Sequence, residues 1–173
     1  SLEVNGKGTA LTFDPASGNW QAAVRLGTVG ENTLCGTALD ASGNRGEDTV
    51  VVYVYDSKDV NPPNLKILAP ASGAILKNPA DVYCVIGDIH MDWWVLEYAL
   101  KGDDNFMELA RGTQSFTGVI HTLVPDTILP GAYILRLRAR DKNFLTSAVE
   151  IEFTKEDYAL GYNEYEATDM SIP

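Results

Sequence analysis

The sequence is poor in the residues from which most active sites are built. Its 173 residues include only two histidines and two cysteines, which leaves few combinations for a metal centre or an activated nucleophile. No apolar run approaches the roughly 20 residues of a membrane-spanning helix, and Ser1-Leu2-Glu3 does not open a signal peptide. We therefore expect no membrane span and a protein that is not an enzyme.

Basic residues are also scarce. Thirteen Lys and Arg stand against 24 Asp and Glu, for a formal net charge of -11. Nucleic acids and anionic membranes bind basic patches that release counterions, so this balance argues against both partners. Hydrophobic residues make up 45% and charged residues 21%, which is typical of a folded chain long enough for one large or two small domains.

The two cysteines, Cys35 and Cys84, lie in separate apolar, strand-like segments. Free cysteine is among the most buried residue types. Because the two segments belong to different predicted domains, we expect two buried thiols and no disulfide.

No segment shows a convincing helical period, whereas short alternating strands recur between turn signals, which predicts an all-β protein. The first part contains five such segments: SLEVNG, ALTF, NWQAAVRL, NTLCGTAL and TVVVYVY. The second contains seven: LKILAP, ADVYCVIGD, WWVLEYAL, FMELARG, GVIHTLV, AYILRLRAR and SAVEIEFT. Seven strands over about ninety residues predict an immunoglobulin-like (fibronectin III-like) β-sandwich.

A polar segment closed by Pro62-Pro63 separates the two parts, because prolines cannot donate to a strand ladder. The first part lacks two strands, which would expose apolar side chains and an unpaired edge. Either the sequence begins inside a domain, with Ser1 following a cut, or another chain supplies the missing strands. The expected division is an incomplete sandwich at 1–56, a linker at 57–64, a complete sandwich at 65–155 and a connector or tail at 156–173.

The last hairpin of each part is predicted to be the same unit, with the second turn two residues shorter. Tyr133 suits a tyrosine corner, whose hydroxyl returns to nearby backbone, and Asn32 occupies the matching position in the first part. At an offset of 101, Gly30, Ala38 and Asp40 recur as Gly131, Ala139 and Asp141; at an offset of 99, Val50, Val52 and Val54 recur as Val149, Ile151 and Phe153.

Alternation along the second part separates a core face from a solvent face. Trp94, Leu96 and Tyr98 are expected in the core, which leaves Trp93 outward. Trp93 would either stack on a sugar or pack against tail aromatics or a missing partner. The outward arginines of AYILRLRAR and glutamates of SAVEIEFT would form a cross-strand ladder or, alternatively, a positive stripe for an anion.

Candidate cation ligands are concentrated near the linker. Asp56, Asp59 and Asn61 lie in it, and Asp40 lies in a neighbouring hairpin. These oxygen donors make calcium a candidate, with a solvated, proline-stiffened hinge as the alternative.

Zinc and catalysis have weaker support. Asp88, His90 and Asp92 share one face of an extended segment, but zinc needs three or four protein donors in a tetrahedral array. The other histidine, His121, lies on a distant predicted strand. No nucleophile-elbow pattern is present, so we predict no cofactor apart from the calcium candidate and no catalytic residue.

Two longer patterns resemble known families. The first part, FDPASGNW followed by GENTLCGTALDASGN, resembles bacterial Ig-like domains of large surface and secreted proteins. The second part, with its LEYAL strand, LPGAY turn and LRLRARD strand, resembles the Ig-like module immediately upstream of the repeats in RHS (YD-repeat) proteins, although Phe144-Leu145 replaces the usual turn glycine. In the tail, Leu160-Gly161-Tyr162 and residues 168–173 are similar to the segment that opens the RHS repeats.

The resemblance implies a fragment of a large bacterial RHS-type toxin or surface protein, secreted or held at the cell surface. In that family a β-stranded shell encloses a C-terminal toxin. The chain would be a non-catalytic spacer and docking module whose partners are other domains of the same parent protein. The alternatives are a carbohydrate-binding accessory module of a secreted hydrolase and a calcium-stiffened adhesin repeat.

Overall fold

The computed structural model describes residues 1–156, so the tail motifs predicted in 157–173 lie outside the described residues. The described part is all-β, with fourteen strands and one short 3-10 turn at Pro125–Thr127. No helix long and apolar enough to cross a bilayer occurs in it.

The first unit comprises six strands, one more than predicted, because SLEVNG begins a hairpin. Asn5 and Gly6 both have positive φ, at 49° and 74°, which is the backbone of a two-residue hairpin turn. A four-stranded antiparallel sheet has the order β2-β1-β5-β6, and β3-β4 is a separate hairpin. The strands are β1 (Leu2–Val4), β2 (Lys7–Thr9), β3 (Thr12–Asp14), β4 (Asn19–Gln21), β5 (Gly30–Leu39) and β6 (Arg45–Val54).

The second unit contains the seven predicted strands and one that the pattern missed, the two-residue β8, which pairs parallel with β14. Two sheets form, in the orders β11-β10-β13-β14-β8 and β12-β9-β7. The strands are β7 (Asn64–Ala69), β8 (Ala74–Ile75), β9 (Ala80–Gly87), β10 (Met91–Leu100), β11 (Met107–Gly112), β12 (Phe116–Leu123), β13 (Gly131–Asp141) and β14 (Thr146–Lys155).

The hydrophobic core lies between the two sheets of the second unit. Trp94 and Leu96 are buried, and Tyr98 is half-buried against the same cluster. Side chains from both sheets contribute to this core, as in a β-sandwich. The most completely buried include Val82, Cys84, Ile86, Leu96, Leu135, Leu137, Ala139 and Phe153.

The first unit has no comparable core. Within residues 1–56 only Gly30 and Asn32 are buried, and β6 is a sheet edge with an almost fully exposed strand. Cys84 is buried as predicted, but Cys35 is only partly buried, so the expectation of two buried thiols is wrong for Cys35. The reason is that, within residues 1–156, its strand belongs to a four-stranded sheet with no buried core against it.

The hairpins β5–β6 and β13–β14 repeat one another at a constant offset of 101. Leu34 pairs with Val50, and Leu135 pairs with Ile151. The predicted offset of 99 for the second strand, and the shorter second turn, are therefore wrong. The two turns have equal length, and Phe144, with φ 66°, takes the left-handed position that Gly43, with φ 86°, takes in the first hairpin.

The predicted tyrosine corner has a counterpart in the first unit. The hydroxyl of Tyr133 donates to the carbonyl of Leu129, four residues earlier, at 2.8 Å. The side-chain amide of Asn32 donates to the carbonyl of Thr28, also four residues earlier, at 2.8 Å. The shorter side chain of Asn32 therefore makes the same type of hydrogen bond, to the carbonyl four residues earlier, as the Tyr133 hydroxyl.

The ladder of charges on the outer face of the larger sheet differs from the prediction. Arg136 and Arg138 both bind Glu97, at 2.6 and 2.8 Å, whereas Arg136 lies 3.9 Å from Glu150. The main acidic partner thus comes from β10 and not from β14. Glu97 is 5% exposed, and a shielded carboxylate gains more from two guanidinium groups than an exposed one.

Candidate functional site at the junction of the two units

Residues 55–63 connect the units, and one side chain of the second unit holds their backbone. Asn143, in the β13–β14 turn, accepts the N–H of Asp56 with Oδ1 at 3.0 Å. Its Nδ2 donates to the carbonyls of Asp56 at 2.7 Å and Asp59 at 2.8 Å. Both the oxygen and the nitrogen of the Asn143 side-chain amide therefore form hydrogen bonds with the connecting segment.

Aromatic and aliphatic contacts reinforce this attachment. The ring of Phe144 contacts those of Tyr53 and Tyr55, with centroid distances of 5.5 and 5.9 Å. A Cβ on Gly30 would come within 3.0 Å of the Lys142 side chain, so the glycine permits close packing of the two hairpins. One turn of the second unit thus contacts both the connecting segment and the first unit.

Three carboxylates meet beside this turn. Asp59 comes from the connecting segment, Asp88 from the β9–β10 loop and Asp141 from the end of β13. One oxygen of each lies within 4.8 Å of an oxygen of the other two. Asp59 is 7% exposed, Asp141 is 0% exposed and Asp88 is half-buried.

The hydrogen bonds of the three carboxylates are unequal. Nδ1 of His90 lies 2.9 Å from Oδ2 of Asp59, and Asp88 accepts the His90 backbone N–H at 2.7 Å. Oδ1 of Asp141 accepts the N–H of Leu145 at 2.9 Å. Oδ2 of Asp141 is buried and, among the described residues, it has no hydrogen-bond partner.

Burial affects the ionisation of Asp88. Desolvation raises the pKa of Asp88 above its usual value, and the charges of Asp59 and Asp141 raise it further. The backbone N–H of His90 opposes the rise. Desolvation and the neighbouring carboxylates therefore disfavour the ionised form of Asp88, and a cation beside it would favour that form.

The predicted calcium ligands are only partly brought together. Asp59 belongs to the cluster, whereas Asp56 accepts the N–H of Lys58 and Asn61 is exposed. Asp40 is wrong as a ligand at the junction: it accepts the backbone N–H groups of its own turn. That turn lies at the far end of ten-residue strands, roughly 30 Å from the junction at about 3.3 Å per residue.

Two members of the cluster had other predicted roles. Asp88 was grouped with His90 and Asp92, but Asp92 binds Arg140 at 2.6 Å and does not join them. Asp141 was predicted as a repeated turn residue, and it does cap its turn. The sequence indicated this cluster only in part. Asp88 ends one predicted strand and Asp141 follows another, but their proximity depends on the order of the strands in the sheets.

Trp93 lies on the outer face, as predicted, and is half-buried. The guanidinium groups of Arg138 and Arg140 are each 5.7 Å from its ring centroid. The ring is thus already in contact with cations. Phe13 and Trp20, 47% and 64% exposed, form a separate pair on the β3–β4 hairpin.

No protein-family model and no curated protein matches the sequence. Among solved structures, 54% of the chain is similar to the crystal structure of an engineered protein, with 21% identity and a TM-score of 0.40. Another similar structure is that of the endo-beta-1,4-mannanase from Thermotoga petrophila, over 57% of the chain, with 16% identity and a TM-score of 0.41. The chain spans 20% of each of those chains, and neither likeness assigns a function to it.

Proposed function

We propose that this chain is a non-catalytic structural module that holds two β-units in a fixed relative orientation. The observation that carries the proposal is the Asn143 side chain, which makes three hydrogen bonds to the backbone of the connecting segment. A flexible tether needs no such contacts, since a solvated linker leaves its backbone groups to water. The contacts of Phe144 with Tyr53 and Tyr55 also attach the second unit to the segment before it and so support a fixed orientation.

The units are proposed to be tandem immunoglobulin-like (fibronectin III-like) sandwiches, of which the first is partial. The second unit supports this with a buried Trp94 and the Tyr133 corner, both typical of that fold. The first unit supports it through the β5–β6 hairpin, which shares its register and turn with β13–β14. A partial sandwich also accounts for the missing core of the first unit.

The parent protein is proposed to be an RHS-type secreted or surface protein of bacteria, and the other domains of that protein are the proposed partners. Support for this comes from the sequence resemblance described above. The sequence that follows Pro173 in the gene tests it, because tyrosine–aspartate repeats are expected there. Their absence would contradict the family and leave the spacer function in place.

Docking is proposed to occur at the open edge of β6. This strand has no neighbour on its outer side within the described residues, and Val50, Val51 and Tyr53 are 54%, 46% and 46% exposed. An unpaired edge of this kind accepts a further strand by main-chain hydrogen bonding. The occupant that fits is a strand from a neighbouring domain of the same protein, which would complete the first unit.

The spacer function can be tested with spin labels in each unit. Labels are introduced by Ser42→Cys in the first unit and Lys66→Cys in the second, in a Cys35→Ser background, and their distance distribution is measured by double electron–electron resonance. We expect one narrow distribution in the parent chain. Asn143→Ala removes all three hydrogen bonds to the connecting segment, so the distribution should broaden.

Asn105→Ala is the matched control, because Asn105 makes side-chain hydrogen bonds only within its own turn, to Asp103. It should leave the distribution unchanged. A broad distribution in the parent chain, or equal broadening by both alanine variants, would contradict the proposal. Circular dichroism of each variant confirms that its strands are retained.

A further inference from the structure

We propose that Asp59, Asp88 and Asp141 bind one calcium ion at the junction. These residues share only Asp59 with the calcium ligands predicted from the sequence. The proposal goes beyond the spacer function, which depends on the Asn143 contacts and does not require an ion.

The buried oxygen of Asp141 is the observation that points to a ligand. Oδ1 accepts the Leu145 N–H, which leaves Oδ2 as the free oxygen of a fully buried carboxylate. Within residues 1–156, Oδ2 is the only buried side-chain nitrogen or oxygen without a hydrogen-bond partner. Buried carboxylates are almost always paired or bound to a metal, because an isolated buried charge is strongly unfavourable.

The charge of the cluster favours a divalent cation. Three carboxylates carry three negative charges when ionised. The imidazole Nδ1 of His90 lies against Asp59. A divalent ion held by the three carboxylates would offset two of their charges, whereas a monovalent ion would offset only one.

The donor set and its spacing favour calcium among divalent ions. All three donors are carboxylate oxygens that lie within 4.8 Å of one another. Two oxygens on opposite sides of one calcium ion are about 5 Å apart, since each calcium–oxygen distance is about 2.3–2.6 Å. Magnesium requires a stricter octahedron, and zinc prefers nitrogen and sulfur donors. Water would supply the remaining ligands.

The position of the site gives the ion a structural role. Asp59 lies in the connecting segment, whereas Asp88 and Asp141 lie in two loops of the second unit. An ion held by all three would therefore join the connecting segment to the second unit at a point beside the Asn143 hydrogen bonds. Calcium should then raise the melting temperature of the chain.

The test uses the whole chain, freed of metal with a chelator and titrated with calcium chloride in a calorimeter. We expect one ion per chain with a dissociation constant on the order of 0.1–1 mM, as in extracellular calcium modules. At about 5 mM calcium the melting temperature should rise by several degrees, and magnesium at equal concentration should have a smaller effect.

Three variants separate the site from general attraction to an acidic protein. Asp141→Asn and Asp88→Asn should each weaken calcium binding at least about tenfold, whereas Asp104→Asn, at an exposed turn, should not change it. Without calcium, Asp141→Asn should melt no lower than the parent chain, because it removes a buried charge. If Asp141→Asn does not fold, Asp88→Asn alone decides the question.

Two results would overturn the calcium site. One is the absence of heat and of any melting shift in the parent chain at about 5 mM calcium. The other is binding that survives in the folded Asp88 and Asp141 variants. In either case a narrow spin-label distribution would still support the spacer function, so failure of the ion site and failure of the spacer are distinguishable.

Discussion

At the scale of single residues, the exposure and the reactivity of the two cysteine thiols depend on whether two sheets enclose them. Cys84 lies between the two sheets of the second unit and is 0% exposed. Desolvation raises the pKa of its thiol to about 11. Cys35 lies on a strand of similar sequence character, yet it is only partly buried, and its sulfur contacts Glu47 at 3.2 Å.

The two thiols should therefore react differently. In the folded chain at about pH 8, an aromatic disulfide reagent should modify Cys35 and leave Cys84 unmodified, because the thiolate is the reactive form. In denaturant both should react, since the pKa of an unfolded cysteine is about 8.5. Counting released thiolate per chain measures this, with Cys35→Ser as the control. Rapid modification of both cysteines under native conditions would contradict the buried core described here.

At the scale of elements, the hairpins β5–β6 and β13–β14 show what the sequence could and could not predict. Alternation predicted the inward Leu135 and Leu137 correctly, because period two is a direct consequence of strand geometry. The repeat was also visible, but its offset was misjudged because Val50 resembles Val149 as well as Ile151. The pairing register of the two hairpins shows that their turns are equal in length, and Phe144 adopts the positive φ that a glycine has in the first turn.

The open edge of β6 should make the isolated chain associate with itself. A second copy is the strand donor available in a pure solution, so sedimentation velocity should show concentration-dependent dimers. Val51→Lys places a charge on the exposed strand, and charged side chains are a common protection of sheet edges. The variant should stay monomeric over the same concentrations.

Leu129→Lys provides the matched control, because Leu129 is 76% exposed but lies in a loop. Its association should equal that of the parent chain. A parent chain that stays monomeric at every concentration, or dimers that both lysine variants retain, would contradict self-association through this edge.

At the scale of the whole molecule, the junction is the feature that sequence patterns described least well. The boundary was predicted from Pro62-Pro63, and Asp59 was recognised as a candidate ligand. The role of Asn143 was not predicted, and Asp88 was grouped with His90 and Asp92 instead of with Asp59 and Asp141. Contacts between segments distant in sequence depend on how the strands are ordered. Local patterns predict strands and turns, whereas a junction is made by loops that only the complete fold brings together.

The central claim is that the two units share one fixed orientation, and residual dipolar couplings test it most directly. Backbone amide couplings are measured in a weakly aligned sample and fitted separately for residues 1–54 and 64–155. The account predicts the same alignment tensor, in magnitude and direction, for both units. Two clearly different tensors, or a much smaller one for the first unit, would show independent motion and contradict it.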